Sequence, residues 1–327
     1  MNYLVFGGEG FIGRHLIRYL ISEQSVNSAQ VYSFDIRRVS DHPNFQKVDV
    51  REEIRLDIPN LQNSIIFNLA AVHTTPGHPD HEYFEANILG ANRICAFAEQ
   101  NGISKIVFTS SIAPYGASEK NKTEGSLPMP NTPYGISKLV AEHVFKTWQA
   151  KDIGNRKLSI VRPGVVFGKD EGGNFTRLYN AQKKGAFFYP GRKDTLKASV
   201  YVKDVVRILY QTITSGLSDN FCLYNLTYYP APTIEKICST ISEVTGVSKP
   251  GIIVPGWILR TAAVIIYNIG AIFGIKFNGI HPDRVKKLMI STNINGEKLS
   301  KSEFRLQYGL KSAIEDWRKE SGGDHLT

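Results

Sequence analysis

Met1-Asn-Tyr-Leu-Val-Phe6-Gly7-Gly8-Glu9-Gly10-Phe11-Ile12-Gly13 opens the chain and decides how the rest is read. Tyr3 to Phe6 is a β-rich apolar run, and an amphipathic pattern predicts a helix from about Phe11 to Ser22. Between them Gly7, Gly10 and Gly13 form G-x-x-G-x-x-G. The first glycine permits a tight turn, the second lets backbone approach a pyrophosphate, and the third lets helix pack on strand. The backbone of Phe11, Ile12 and Gly13 then forms a first helical turn whose free N–H groups and dipole face the phosphates. A glycine triplet alone is a weak signal, but one that follows a strand and opens a helix has the context that gives it meaning.

Working outward, a second strand from Gln30 to Asp35 ends in an acid 22 residues after Gly13. An acid there hydrogen-bonds adenosine ribose hydroxyls. Arg37 and Arg38 follow and would welcome a 2′-phosphate, so Asp35 argues for NAD while the arginines leave NADP open. Phe45–Val50 and Ser64–Leu69 read as third and fourth strands, Glu82–Gln100 as a helix stopped by Asn101-Gly102, and Lys105–Thr109 as a fifth strand. Strands alternating with helices give right-handed crossovers and a Rossmann-type α/β fold, a doubly wound parallel sheet. Ligands bind at the carboxyl ends of such strands, where Gly7, Asp35, Ala70 and Ser111 lie. Asn68-Leu69-Ala70-Ala71 offers small residues at one of those ends.

Pro133-Tyr134-Gly135-Ile136-Ser137-Lys138 carries the chemistry. Residues four apart share a helix face, so Tyr134 and Lys138 project together. A lysine ammonium beside a phenol favours the phenolate and lowers its pKa. Such a tyrosine can act as general acid/base at a carbonyl or carbinol, with Ser111 holding the substrate oxygen. Tyr-x-x-x-Lys by itself is common by chance, and a plain surface helix is the bland alternative. His73, His78 and His81 lie within nine residues, yet their spacing and intervening prolines match no standard ligand pattern. No metal is expected, and His73 is read as part of a substrate-facing loop.

Composition frames the function. The 327 residues carry a net charge of +9, which suggests phosphorylated substrates or an acidic membrane surface. The basic residues are dispersed without interleaved aromatics, which argues against nucleic acid. Cys95, Cys222 and Cys238 are scattered and lack metal-ligand spacing, which fits a reducing compartment. The N-terminus reads as a buried strand and not a signal peptide, so a cytoplasmic protein is expected, with a peripheral position at the inner face of the membrane as the variant. Residues 256–275 are the most apolar stretch and approach a membrane span in length, but Arg260, Asn268 and three glycines interrupt them. A core or pocket-lining helix pair is the first reading there, and docking on a membrane surface the second. A helix from Val202 to about Thr214 and a strand from Phe221 to Leu226 return to the sheet, and the tail from His281 to Leu326 closes the chain with Ile314 and Trp317 on an apolar face. The expected division is a dinucleotide-binding domain of residues 1–170 with 200–227, and a smaller α/β substrate domain of 171–199 and 228–327.

With these motifs in order, the chain resembles the extended short-chain dehydrogenase/reductase family, the nucleotide-sugar epimerases, dehydratases and reductases. The matching residues are Gly7-x-x-Gly10-x-x-Gly13, Asp35, Asp49-Val50, Asn68-Leu-Ala-Ala71, Ser110-Ser111 ahead of Tyr115-Gly116, Pro133-Tyr134-x-x-x-Lys138, Arg162-Pro163 and Val202-Lys-Asp204. The resemblance implies that Tyr134 is the acid/base, that Lys138 binds the nicotinamide ribose, and that Ser111 is the hydroxyl partner. Asp49 and Val50 would border the adenine and Pro163 the nicotinamide. Asn87 falls where the family often has an asparagine supporting the catalytic site. Leu69, Ala70 and Ala71 join Arg37 on the cofactor side.

Departures narrow the reading. Dehydratases of the family place Asp-Glu directly after the catalytic Ser/Thr, where this chain has Ile112-Ala113, so dehydration is not expected. Lys197 stands where many UDP-sugar epimerases carry a diphosphate-binding Arg, and lysine lacks the bidentate fork. Val165 replaces a frequent asparagine. Asn174-Phe175 resembles the family's nucleotide-contacting step, and Arg192 is a further phosphate candidate. The expected protein is an NAD(P)-dependent epimerase or 4-ketoreductase that moves hydride at a sugar carbon, C4 being the family's usual site. A dehydrogenase of sterol or other lipid alcohols is one rival, and a non-catalytic cofactor-sensing protein another. The family's habit of pairing two helices implies a homodimer through 82–100 and 132–150.

Overall fold

The structure is a computed structural model that describes residues 1–327 apart from 75–76, 216–218, 260, 262–288 and 324. Its strands in chain order are β1 Asn2–Phe6, β2 Val31–Asp35, β3 Phe45–Lys47, β4 Ser64–Asn68, β5 Lys105–Thr109, β6 Ser118–Lys122, β7 Lys157–Pro163, β8 Val165–Phe167, β9 Tyr189–Pro190, β10 Ser199–Tyr201, β11 Phe221–Leu226, β12 Ile253–Val254 and β13 Thr292–Ile294. Seven of them form one parallel sheet in the order β11-β7-β5-β4-β1-β2-β3. β1 has β2 on one side and β4 on the other, so the strand order reverses at β1. A crevice opens at such a reversal, outside the carboxyl ends.

The main helices are α1 Phe11–Ser22, α2 Asp80–Phe84, α3 Gly90–Gln100, α4 Pro133–Ala150, α5 Asn174–Lys183, α6 Val202–Thr214 and α7 Ile234–Thr245. The two-residue period of a strand divides β1 between two cores. Tyr3 and Val5 pack with Leu16, Ile17 and Leu20 of α1 and with Val205, Ile208 and Leu209 of α6. Leu4 and Phe6 pack on the other face with Ile94 and Phe97 of α3 and with Phe145 and Trp148 of α4. Both faces are covered, which is why these strands read as unbroken apolar runs. Each such fully buried side chain contributes about 1.5–3 kcal/mol relative to exposure.

Two elements differ from the sequence expectation. β3 stops at Lys47, because Asp49 turns the chain: its carboxylate accepts from Arg51 N at 3.0 Å and its carbonyl from Glu52 N at 3.0 Å. The helix expected over 82–100 is interrupted by a five-residue π-helical segment, Glu85–Leu89, between α2 and α3. One residue more per turn there brings Asn87 to the inside, where it is 4% exposed.

Outside the large sheet, β8 pairs with β10, β9 with β12 and β6 with β13, all parallel. β6 lies among the residues expected to belong to the first domain, yet its partner is 170 or so positions later in the chain. Phe167 stacks on Phe175 at 4.3 Å in a separate core with Tyr201, Ile241, Ile314 and Trp317. Ile314 and Trp317 sit on the helix Leu310–Glu320, as their spacing implies. Of 256–275 only 256–259 and 261 are described, so the readings made for that stretch lie outside the described residues, as does 281–288. Among the described residues no helix is long and apolar enough to cross a membrane.

Candidate active site

The glycine turn sits at the reversal point. Gly7 has φ +77°, and a Cβ on it would come within 2.6 Å of Ala70 N. That close approach joins the turn to the end of β4, where Leu69 N donates to Phe6 O at 2.8 Å. A Cβ on Gly13 would run into Gly7 O and lie 2.7 Å from Gly8 Cα, so α1 can seat on the turn only through glycine. Gly10 differs. It starts α1 in extended geometry with no side-chain cap, and a Cβ there would meet only Gly7 O, at 3.3 Å. The protein itself does not require glycine at that point. What glycine leaves is open space over the first-turn N–H groups of Phe11 and Ile12, a cradle shaped for a pyrophosphate. The residues present therefore fit a dinucleotide.

Asp35 ends β2, with its carboxylate accepting from Glu9 N at 3.2 Å and Ile36 N at 2.8 Å. Burial raises its pKa, and these N–H groups oppose the shift. Arg37 is exposed. Arg38 folds back onto the carbonyls of Ser40 (3.1 Å) and His42 (3.3 Å). Asp49 is engaged by Arg51, Nε to Oδ1 at 2.9 Å and Nη2 to Oδ2 at 2.5 Å, while Val50 packs against Gly90.

The strands β5 and β7 carry the chemistry to the same end. Ser110 N donates to Val161 O (2.8 Å) and Ile112 N to Pro163 O (3.2 Å), which holds Ser111 at the carboxyl edge beside Pro163. Thr132 caps α4 by accepting from Gly135 N at 3.1 Å, and Pro133 fixes the first turn. This start places Tyr134 in the first turn and Lys138 one turn on. Ser111 Oγ accepts from Ala113 N at 3.1 Å and faces Tyr134 closely enough to favour its phenolate. Lys138 is 2% exposed, with Nζ 4.3 Å from the centroid of the Phe108 ring.

The electrostatics reverse one expectation. Lys138 was expected to depress the Tyr134 phenol. Burial instead raises the Tyr134 pKa, opposed by the nearby Ser111 hydroxyl. Burial also pushes Lys138 down from 10.5 to about 7, opposed by Glu142. Desolvation penalises both charged forms. Burial thus disfavours the phenolate, and the lysine is poised to titrate near neutrality.

A buried network surrounds the pair, and no motif points to its central member. Glu142 is fully buried, four residues after Lys138 on the same face of α4. It accepts from Ser110 Oγ (2.5 Å) and from Arg162 Nε (2.8 Å) and Nη2 (2.5 Å). Arg162 Nη1 donates to the Tyr115 hydroxyl at 2.5 Å, which donates to Asn225 Oδ1 at 2.8 Å. The spacing Tyr134, Lys138, Glu142 is the signal that was available. Asn87 spends its amide on Val72, accepting from N at 3.0 Å and donating to O at 3.1 Å, and donates to Ser137 Oγ at 2.8 Å. Ser137 in turn donates to Tyr134 O at 2.9 Å, so Asn87 braces the loop after β4 against the start of α4.

On the substrate side, His73 lies close enough to Lys138 that desolvation and then the lysine charge disfavour its imidazolium. His78 pairs with Glu82 at 2.7 Å. Lys197 donates to Ile290 O at 3.0 Å and is pushed by burial from 10.5 to about 8. It lines a cavity of about 200 Å³ with Ala186, Phe187, Phe188, Pro190, Ile234 and Leu259. Arg192 is committed to Glu119 (2.9 Å), Asp194 (2.8 Å) and Ser291 (3.2 Å). Asn174 is exposed at the start of α5, bonded to Arg177 Nη2 at 3.1 Å. A wider depression of about 390 Å³ at Gln149, Ile153 and Phe221 lies at the opposite, amino-terminal edge of the sheet and carries none of these groups.

Residues 3–226 match the model of the NAD dependent epimerase/dehydratase family. An N-acetyl-alpha-D-glucosaminyl-diphospho-ditrans,octacis-undecaprenol 4-epimerase of Escherichia coli O157:H7 is 26% identical over 315 residues, 96% of this chain and 93% of that protein. A 3 beta-hydroxysteroid dehydrogenase/Delta 5-->4-isomerase of monkeypox virus is 28% identical over 291 residues, 80% of this chain and 81% of the relative. The crystal structure of UDP-glucuronic acid 4-epimerase from Bacillus cereus in complex with NAD superimposes with a TM-score of 0.71 at 19% identity, over 98% of this chain and 99% of that one. That likeness concerns the fold.

Proposed function

The chain belongs to the NAD dependent epimerase/dehydratase family, and on that premise we propose that it is an NAD-dependent 4-epimerase of a sugar carried on a diphosphate. The observation that carries the proposal is the meeting of Ser111, Tyr134 and Lys138 at the same sheet edge as the glycine turn. NAD held by Gly7, Gly10, Gly13, Asp35 and Lys138 supplies a hydride acceptor that can also return the hydride. Tyr134 Oη, in its phenolate form, takes the proton of the sugar hydroxyl as the carbon is oxidised and gives it back on reduction. Ser111 Oγ holds the same sugar oxygen. Lys138 sets the charge beside the phenol, and its proton is exchangeable near pH 7. Release of the product after one hydride transfer would make the same site a 4-ketoreductase.

The carrier can be a nucleoside or a polyprenol. The nucleoside is the family's habit. The polyprenol is favoured by the apolar cavity beside Lys197 and by Phe188, Ile252, Ile253, Trp257 and Ile258, which all stand open to solvent around β9 and β12. The substrate of the Escherichia coli relative, matched over 96% of this chain, points the same way. This reading places the protein in the cytoplasm, at the inner face of the membrane when the carrier is lipid. A second copy would cover Phe84, Leu89, Ile136 and Val140, which are exposed on the two helical segments expected to pair.

The test offers UDP-N-acetylglucosamine and N-acetylglucosaminyl-diphospho-polyprenol to the purified protein and assays the 4-epimer. Tyr134→Phe should lose turnover while still binding NAD, and unchanged turnover would sink the acid/base role. Oxidation of a sterol alcohol with no epimer from either carrier would replace this reading by the lipid-alcohol dehydrogenase.

A further inference from the structure

Glu9 occupies the second variable position of the glycine turn, yet it is 2% exposed and points away from the pyrophosphate cradle. Its carboxylate gathers four donors. Oε2 accepts from the successive backbone N–H groups of Val39 (2.9 Å) and Ser40 (2.5 Å). Oε1 accepts from Ser33 Oγ (2.6 Å) and Ser40 Oγ (3.0 Å). Successive backbone N–H groups flanked by hydroxyls form an anion-binding nest. This nest lies against the ribose site, since Glu9's own N–H donates to Asp35 Oδ2 at 3.2 Å. Burial works against the Glu9 carboxylate, but the hydrogen bonds from Ser33, Ser40 and Val39 prevail and hold it ionised below the usual carboxylate range.

We propose that Glu9 is a specificity-determining residue that excludes NADP: its carboxylate fills, from inside the chain, the anion nest that a 2′-phosphate beside Asp35 would need. Of the two arginines after β2, Arg38 is already engaged and does not offset this. Arg38 is folded onto the Ser40 and His42 carbonyls, and those are carbonyls of the very loop that Glu9 ties down. A 2′-phosphate would meet two carboxylates in series, Asp35 and Glu9, and would find the Val39 and Ser40 N–H groups taken. Ser33, Val39 and Ser40 lie 24 to 31 residues from Glu9 in sequence, so the device depends on the turn and the loop after β2 meeting in the fold. The inference concerns the choice of cofactor only and stands whether the substrate is a sugar diphosphate or a lipid alcohol.

Calorimetric titration of the full chain with NAD⁺ and NADP⁺ tests it without reference to turnover. The wild type should bind NADP⁺ at least about 100-fold more weakly, as expected of like charges brought together. Asp35→Asn should weaken NAD⁺ by about tenfold through the lost charged hydrogen bond, yet NADP⁺ should remain excluded because Glu9 is still in the nest. Adding Glu9→Gln to Asp35→Asn should then admit NADP⁺ to within about tenfold of NAD⁺, the range a nest freed of its internal anion would give. If Asp35→Asn alone binds NADP⁺ as tightly as NAD⁺, Asp35 accounts for the selectivity and the proposal falls. A folded double variant that still rejects NADP⁺ overturns it as well. Should the double variant fail to fold, the Asp35→Asn titration, repeated with 2′,5′-ADP, decides alone.

Discussion

Replacing Gly10 by alanine separates what the glycine turn does for the fold from what it does for a ligand. Gly10 has φ −70° and ψ 171°, values alanine adopts without strain. Reducing the freedom of the unfolded chain gains about 0.4–1 kcal/mol. The new Cβ would meet only Gly7 O, at 3.3 Å, which cancels part of that gain. Net stability should therefore stay within about 1 kcal/mol of wild type, a melting shift of at most about 4 °C. The same methyl group enters the space over the first turn of α1, so NAD⁺ affinity should fall at least tenfold, about 1.4 kcal/mol. Gly13→Ala is the contrast. Its Cβ collides with backbone at Gly7 and Gly8, which cannot rotate away. Overpacking of that kind costs about 1–3 kcal/mol, and the melting temperature should drop visibly. Thermal unfolding and calorimetric NAD⁺ titration of both variants supply the comparison. Wild-type NAD⁺ affinity in folded Gly10→Ala would refute the assignment of that space to the pyrophosphate.

Glu142→Gln leaves the Arg162 guanidinium buried with its paired anion gone, which should cost about 3–5 kcal/mol in urea unfolding; a loss under about 1 kcal/mol would contradict the network's role. Lys138 gives a pH signature. Its pKa is about 7 in the fold and 10.5 in the unfolded chain. Between those values the unfolded state binds the extra proton, so stability rises with pH from about 7 towards 10.5, and this gain is absent below 7. Lys138→Met should flatten that rise, and an unchanged slope would show that another group produces it. Val140→Glu puts a charge on the exposed apolar face of α4, and sedimentation should then report a monomer if that face holds the second copy. A variant that sediments as the wild type does would exclude that face.

Much of the fold is written locally. The limits of α1, β5, α6 and β11 follow from the sequence to the residue, because each is an apolar or amphipathic run closed by turn residues. The site is legible to the extent that its parts are short-range. The glycine turn, Asp35 at a strand end and Tyr134 with Lys138 on one helix face each need only a few neighbouring positions to be recognised. Ser111 joins Tyr134 because parallel strands bring their carboxyl ends to one edge.

The tertiary structure decided everything that depends on which buried polar groups meet. Glu9 looks like a variable position in a turn until Ser33, Val39 and Ser40 arrive around its carboxylate. The line from Glu142 through Arg162 and Tyr115 to Asn225 spans 110 positions in one of its bonds alone. The π-helical segment that turns Asn87 inward answers to Val72 and to Ser137, 50 residues away. The sign of the shift at Tyr134 was also out of reach. Spacing places a lysine beside a phenol, but whether attraction or desolvation prevails is set by how completely the fold removes water from both. Periodicity acts over one or two turns of chain, whereas burial is a property of the whole molecule. The sequence alone therefore determined the architecture and nominated the residues of the candidate site, and only the packed structure determined which buried groups surround and hold them.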